Sequence, residues 1–195
     1  MNKKIKTIVS IFAFALFIVI AIFMYNILSK KISTQNDMDI TQNKDEISQS
    51  DQDVEKEKTK APDFTVLDAD GNTVKLSDMF GKPIVLNFWA SWCLACKSEM
   101  PEFNKVYKET GDDVTFMMID LVDGQQETKE KGEQYIKKQD FSFPVYFDIK
   151  QDAADTYGIV SLPTTIFIDK DGYIITGAEG AIDAKTLKNG IDLIK

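Results

Sequence analysis

The stretch Phe88-Trp89-Ala90-Ser91-Trp92-Cys93-Leu94-Ala95-Cys96-Lys97 of this 195-residue chain joins a continuous apolar run, 84–89, to a segment in which Phe103, Val106 and Tyr107 recur at helical spacing up to Gly111. The apolar run has the pattern of a strand buried on both faces, and the segment after it reads as a helix from about 93 to 110, kinked at Pro101. Three-residue spacing across a first helical turn brings both Cys sulfurs to one side, close enough for a disulfide to form and to break. The pair is therefore a candidate two-electron couple. Cys93 falls at the helix N-terminus, where unpaired backbone N–H groups and the helix dipole stabilise a thiolate, so it is the candidate attacking sulfur. Cys96, one turn inside, is the candidate resolving sulfur.

Composition narrows the rival readings. The chain has 2 Cys in all and 0 His. A zinc site built on the Cys pair needs two further ligands that the chain does not supply as Cys or His, so no metal is expected. A purely structural disulfide across so short a loop adds little to fold stability. Without His, any general acid or base must be Asp, Glu, Lys, Tyr or Cys. A formal charge of -8 and the absence of Arg leave no basic surface for a phosphate backbone, which argues against a nucleic-acid partner. One domain with appendages is the expected organisation.

Upstream, 1–6 carries Lys3, Lys4 and Lys6, and 7–28 is apolar and uncharged. About 22 residues at about 1.5 Å each reach about 33 Å, enough to cross a hydrocarbon core of about 30 Å. Ile22, Phe23, Met24 and Tyr25 stand where a cleavable signal would have small residues, so an uncleaved signal-anchor is expected, with 1–6 cytoplasmic. No Cys near Leu28 supports a lipid anchor. The segment 29–60 is polar, with isolated Met38, Ile40, Ile47 and Val54, and is expected to be a solvated tether reaching about 30 Å as a random coil.

The remainder, 61–195, alternates strand and helix patterns. Runs at 64–67 and 73–75 flank Asp70-Gly71, and runs at 165–168 and 173–176 flank Asp171-Gly172, two hairpin signals. Further strands are expected at 114–119 and 145–147. Helices are expected at 127–138, at 153–157 and after Asp183, a capping residue. The order implies an α/β domain with a mixed sheet and helices on both faces.

Residues 88–96 together with Ser161-Leu162-Pro163-Thr164 resemble the thioredoxin superfamily. Ala61-Pro62-Asp63-Phe64 and Lys97-Ser98-Glu99-Met100-Pro101 are similar to its membrane-associated TlpA/ResA-like branch. The resemblance covers about 135 residues and implies a thioredoxin fold with an N-terminal β-hairpin extension and a helical insertion at about 125–138. It further implies a cis Leu162-Pro163 bond beside the Cys pair, Leu162 offering backbone hydrogen bonds to a substrate polypeptide, and Trp92 on the substrate-contacting rim. Trp89 reads as core and Lys97 as a solvated helix residue. Thioredoxins have a buried Asp where this chain has Asn87, and an amide cannot accept the resolving thiol's proton. Glu99, three residues after Cys96 on the same helix face, is the expected replacement.

The activity so implied is thiol–disulfide exchange outside the membrane, where substrate disulfides persist. Reduction of exported proteins, such as apocytochrome c or methionine sulfoxide reductases, is the expected direction. Electrons would come from a transmembrane thiol carrier, and the chain is expected to act as a monomer with no cofactor beyond the Cys93–Cys96 disulfide. Leu94-Ala95 replaces the thioredoxin Gly-Pro between the Cys residues, which keeps a thiol oxidase as the alternative. A thiol peroxidase is disfavoured, because Ala90 stands where peroxiredoxins have Thr and Arg is absent. A non-catalytic binding module would require an unreactive Cys pair.

Overall fold

The structure, a computed structural model, describes residues 59–195. The segments 1–6 and 7–28 and nearly all of the expected tether lie outside the described residues. Within them no helix is long and apolar enough to cross a membrane.

The elements are β1 (Thr59–Lys60), β2 (Thr65–Leu67), β3 (Thr73–Lys75), β4 (Ile84–Trp89), α1 (Leu94–Thr110), β5 (Thr115–Asp120), α2 (Lys129–Gln139), β6 (Val145–Phe147), α3 (Asp152–Tyr157), β7 (Thr164–Ile168), β8 (Tyr173–Glu179) and α4 (Ala184–Ile194). Among the described residues these strands form one sheet in the order β1-β8-β7-β4-β5-β6-β2-β3. β4, β5 and β6 run parallel and are connected through α1 and α2, whereas the other pairings are antiparallel. All six residues of β4 are buried, as its uninterrupted apolar pattern requires, because packing covers both faces of the sheet centre.

Strand alternation divides the core. Val85, Trp89, Phe116, Met118 and Phe167 meet Met100, Phe103 and Val106 of α1 and Leu187, Ile191 and Ile194 of α4. Ile84, Leu86, Phe88, Met117, Ile119 and Ile168 point the other way, toward Leu76 and Ala153. Gly190 lets α4 lie directly on the sheet, since a Cβ there would fall 2.3 Å from the Phe167 ring. Asp183 caps α4 by accepting from the Thr186 N–H at 2.8 Å.

This mixed sheet, with helices on both faces, the β2–β3 hairpin at its edge and α2 inserted between β5 and β6, is a thioredoxin-like fold. Three boundaries depart from expectation by more than one residue or by a whole strand. Thr59 and Lys60, assigned above to the tether, form β1 opposite Ile174 and Tyr173. An edge strand needs no apolar face of its own; the Lys60 stem lies across aromatic rings, its ammonium 4.7 Å from the Tyr173 centroid and 5.2 Å from that of Phe80. β8 continues to Glu179 because β7 offers partners up to Thr164. α2 begins at Lys129 rather than 127: the Thr128 hydroxyl caps it, and Glu127 is drawn inward to a different partner. α1 runs through Pro101 as one element.

Candidate active site

The Cys pair sits where the central strand hands over to α1. Cys93 is the N-cap of α1 in an extended conformation, and its Sγ accepts from the Cys96 N–H at 3.1 Å. The two residues form a disulfide with Cα atoms 5.3 Å apart. Donation to Sγ from a backbone N–H of the first turn is the interaction that would stabilise a thiolate at Cys93 after reduction. Cys96 is 0% exposed and Cys93 only 5%. In the oxidised chain both residues are thus buried, with Cys93 Sγ turned inward to bond Cys96. Leu94, 82% exposed, and Trp92, 45% exposed, stand on either side of Cys93 in the chain as exposed apolar side chains.

Glu99 is buried, at 2% exposure, one turn beyond Cys96 on α1. Its Oε1 accepts from Asn87 Nδ2 at 3.0 Å and its Oε2 from the Ile182 N–H at 2.9 Å. The same Asn87 amide donates to Thr165 Oγ1 at 3.0 Å. β4, α1, β7 and the loop before α4 thus converge on one carboxyl. Burial pushes its pKa up to about 7, against the opposing effect of the two hydrogen bonds. A group so poised can take and return a proton near neutral pH. Asn87, where thioredoxins place an Asp, orients this acid instead of being one.

The Leu162-Pro163 bond is cis. Leu162 packs against the cluster that holds Cys93 and Cys96, and Pro163 is buried, its carbonyl accepting from the Gly180 N–H at 2.8 Å. Thr164, the next residue, opens β7 opposite Phe88 of β4, which brings the loop to the end of the sheet that carries the Cys pair. Trp89 is fully buried, with its ring 6.0 Å from Tyr135 of α2. Lys97 is not simply solvated: its ammonium lies 5.2 Å from the Tyr135 centroid.

Sequence reasoning missed two acids here. Asp120 ends β5 beside Trp89, and Glu127, expected to open a helix, accepts from both the N–H and the hydroxyl of Ser91. Both are fully buried. The available signal was the Asp closing the apolar run Phe116-Met117-Met118-Ile119, at the carboxyl end of a parallel strand where α/β sites gather.

A buried strand, an N-capping Cys in a CxxC disulfide, a neighbouring buried acid and a cis-Pro loop together define a thiol–disulfide oxidoreductase of thioredoxin-like fold. Residues 58–176 match the AhpC/TSA family, and the chain belongs to it. It is 38% identical over 124 residues to "Thiol-disulfide oxidoreductase ResA" of Bacillus thuringiensis subsp. konkukian, covering 62% of this chain and 68% of the relative. It is 33% identical over 134 residues to "Thioredoxin-like protein YneN" of Bacillus subtilis, covering 69% and 78% respectively. Among solved structures, StoA from Bacillus subtilis superposes with a TM-score of 0.58 at 28% identity, over 66% of this chain and 96% of StoA.

Proposed function

We propose that the chain is anchored in the cell membrane by 7–28, extends its thioredoxin-like domain beyond a polar tether on the extracytoplasmic side, and reduces disulfides of exported proteins. Cys93, Cys96 and Glu99 carry the reaction, and Trp92, Leu162 and Pro163 receive the substrate. The buried Glu99 one turn beyond the Cys pair is the observation that carries this reading. The name of the ResA relatives supports the chemistry.

The Cys93 thiolate attacks one sulfur of a substrate disulfide; the substrate S–S bond breaks, a mixed disulfide forms, and the departing substrate thiolate takes a proton. Glu99, as carboxylate, accepts the Cys96 proton. The Cys96 thiolate then attacks Cys93 Sγ, which releases the second substrate thiolate to be protonated in turn. The substrate gains two electrons and two protons, and the chain is left as the Cys93–Cys96 disulfide. A transmembrane thiol carrier restores the dithiol. Exported apocytochrome c and methionine sulfoxide reductases are clients of the right chemistry, and a monomer suffices for every step.

Direction is tested by the reduction potential of the pair, measured by equilibrating the full chain with glutathione and quantifying the thiols. A reductant is expected near about -270 mV, whereas a value near about -120 mV would make the chain an oxidase.

A further inference from the structure

The exchange steps leave Glu127 and Asp120 unused. Glu127 Oε2 accepts from the Ser91 N–H and from Ser91 Oγ, each at 2.7 Å, and Ser91 lies in the turn that carries β4 into Cys93. Asp120 is the register partner of Trp89, the last residue of β4. Among the described residues neither Asp120 carboxyl oxygen has a protein hydrogen-bond partner, nor has Glu127 Oε1. α2 closes over Asp120 through Gly132, where a Cβ would fall 1.9 Å from Asp120 Oδ2 and 3.4 Å from the Phe147 ring.

β4, α2 and β6 present Trp89, Gly132 and Phe147 to Asp120, none of which carries charge, and the buried Asp148, whose N–H bonds the Asp120 carbonyl, turns its own carboxyl to the Ala154 N–H. The charged group acting on it is Glu127, and burial together with that neighbour pushes the Asp120 carboxyl up to about 9. Around Glu127, Asp123 is turned to the backbone, accepting from the N–H groups of Gln125 and Glu127, and Lys97 of α1 is held over Tyr135. Burial and the neighbouring Glu127 both favour the protonated form of Asp120, and the double donation from Ser91 to Glu127 Oε2 has no counterpart at the Asp120 carboxyl, which is left as the holder of the proton.

We propose that Asp120 and Glu127 are a proton-sharing carboxyl pair that positions the attacking sulfur: Asp120 carries the proton, and Glu127 Oε2 fixes Ser91 and, through that turn, Cys93. The role rests on the thiol-exchange reading above. Glu127 and Asp120 are positioning residues, because they act through Ser91 and not on the reacting sulfurs. At alkaline pH the pair loses its shared proton, the two charges repel, and Glu127 releases Ser91.

The test is carboxyl carbon NMR of the full chain labelled at Asp, in the oxidised state where no thiol titrates, with the Ser91 amide followed in parallel. The resonance that vanishes in Asp120→Asn is expected to titrate near about 9, to move down in Glu127→Gln, and to be tracked by the Ser91 amide shift. Titration of that resonance below about pH 6, or a Ser91 amide indifferent to it, would overturn the pairing. In the reduced chain, Glu127→Ala should slow disulfide exchange by about tenfold, with partial recovery in Glu127→Gln, which keeps an acceptor for Ser91. Unchanged exchange in Glu127→Ala would overturn the positioning role. An inert Cys pair would remove the exchange reading and the positioning role with it, whereas a normally titrating Asp120 in an active chain would remove the pair alone.

Discussion

In the Cys96→Ala chain, turnover is expected to fall by at least about 10³-fold while Cys93 accumulates substrate as a mixed disulfide. The first attack needs only Cys93, whose N-cap position and bond from the Cys96 N–H do not depend on the Cys96 sulfur. Release needs a second sulfur one turn inside the helix, and the described residues contain no other Cys. Alanine fits a fully buried site without strain, so loss of folding does not obscure the result. Non-reducing electrophoresis with mass spectrometry of the adducts checks it: Cys93-linked substrates in Cys96→Ala, and none in Cys93→Ser. Retention of turnover by Cys96→Ala would mean that the substrate's own thiols resolve the intermediate.

Glu99→Gln should alter both stability and kinetics with pH. The folded chain raises the Glu99 pKa from 4.5 to about 7, so it holds a proton that the unfolded chain has already lost. The stabilisation is therefore fully present below about pH 4.5 and is lost as pH rises through about 7, a fall of about 3 kcal/mol at most. Glutamine removes this pH dependence. It keeps one of the two bonds, because its single oxygen accepts from the Ile182 N–H; an amide flip of Asn87 turns Oδ1 toward the new donor at the cost of the Nδ2 bond to Thr165. Denaturant unfolding of the oxidised chain should show wild type losing stability between pH 4.5 and 7 more steeply than the variant, which keeps only the slope that Asp120 contributes over the same range. In rapid mixing, resolution by Cys96 should slow by about 10² in the variant and lose its step near neutral pH. Identical pH profiles for the two chains would end the proton-relay role of Glu99.

The parts of the molecule legible in advance were those written locally. The run Ile84–Trp89, the Cys pair and the helical spacing to Gly111 lie within one stretch of chain, and both Asp-Gly hairpins carry their own turn chemistry. Glu99 was legible as a residue, from its place one turn beyond Cys96. Its environment was not, because the Ile182 N–H lies 83 positions away and the Thr165 hydroxyl reaches Asn87 across 78. The inward turn of Glu127 is hidden for the same reason. In isolation an acid before Thr128 and a polar helix looks like a first-turn residue, and only the fold brings Ser91 within 2.7 Å of it. β1 is not legible because Thr59 and Lys60 have no apolar pattern; what holds them is pairing with the edge of β8 and the aromatic rings beneath the Lys60 ammonium. Polar residues with distant partners are what a linear pattern cannot carry.

The central claim is that Cys93 is the ionised, reachable sulfur of the pair and Cys96 the shielded one. Timed alkylation of the fully reduced chain with iodoacetamide at pH 7, followed by peptide mass mapping, measures this directly. Cys93 should be modified at least about tenfold faster than an unperturbed thiol of pKa about 8.5, with Cys96 left unmodified over the same interval. Equal labelling of the two residues, or a Cys93 slower than an ordinary thiol, would contradict it.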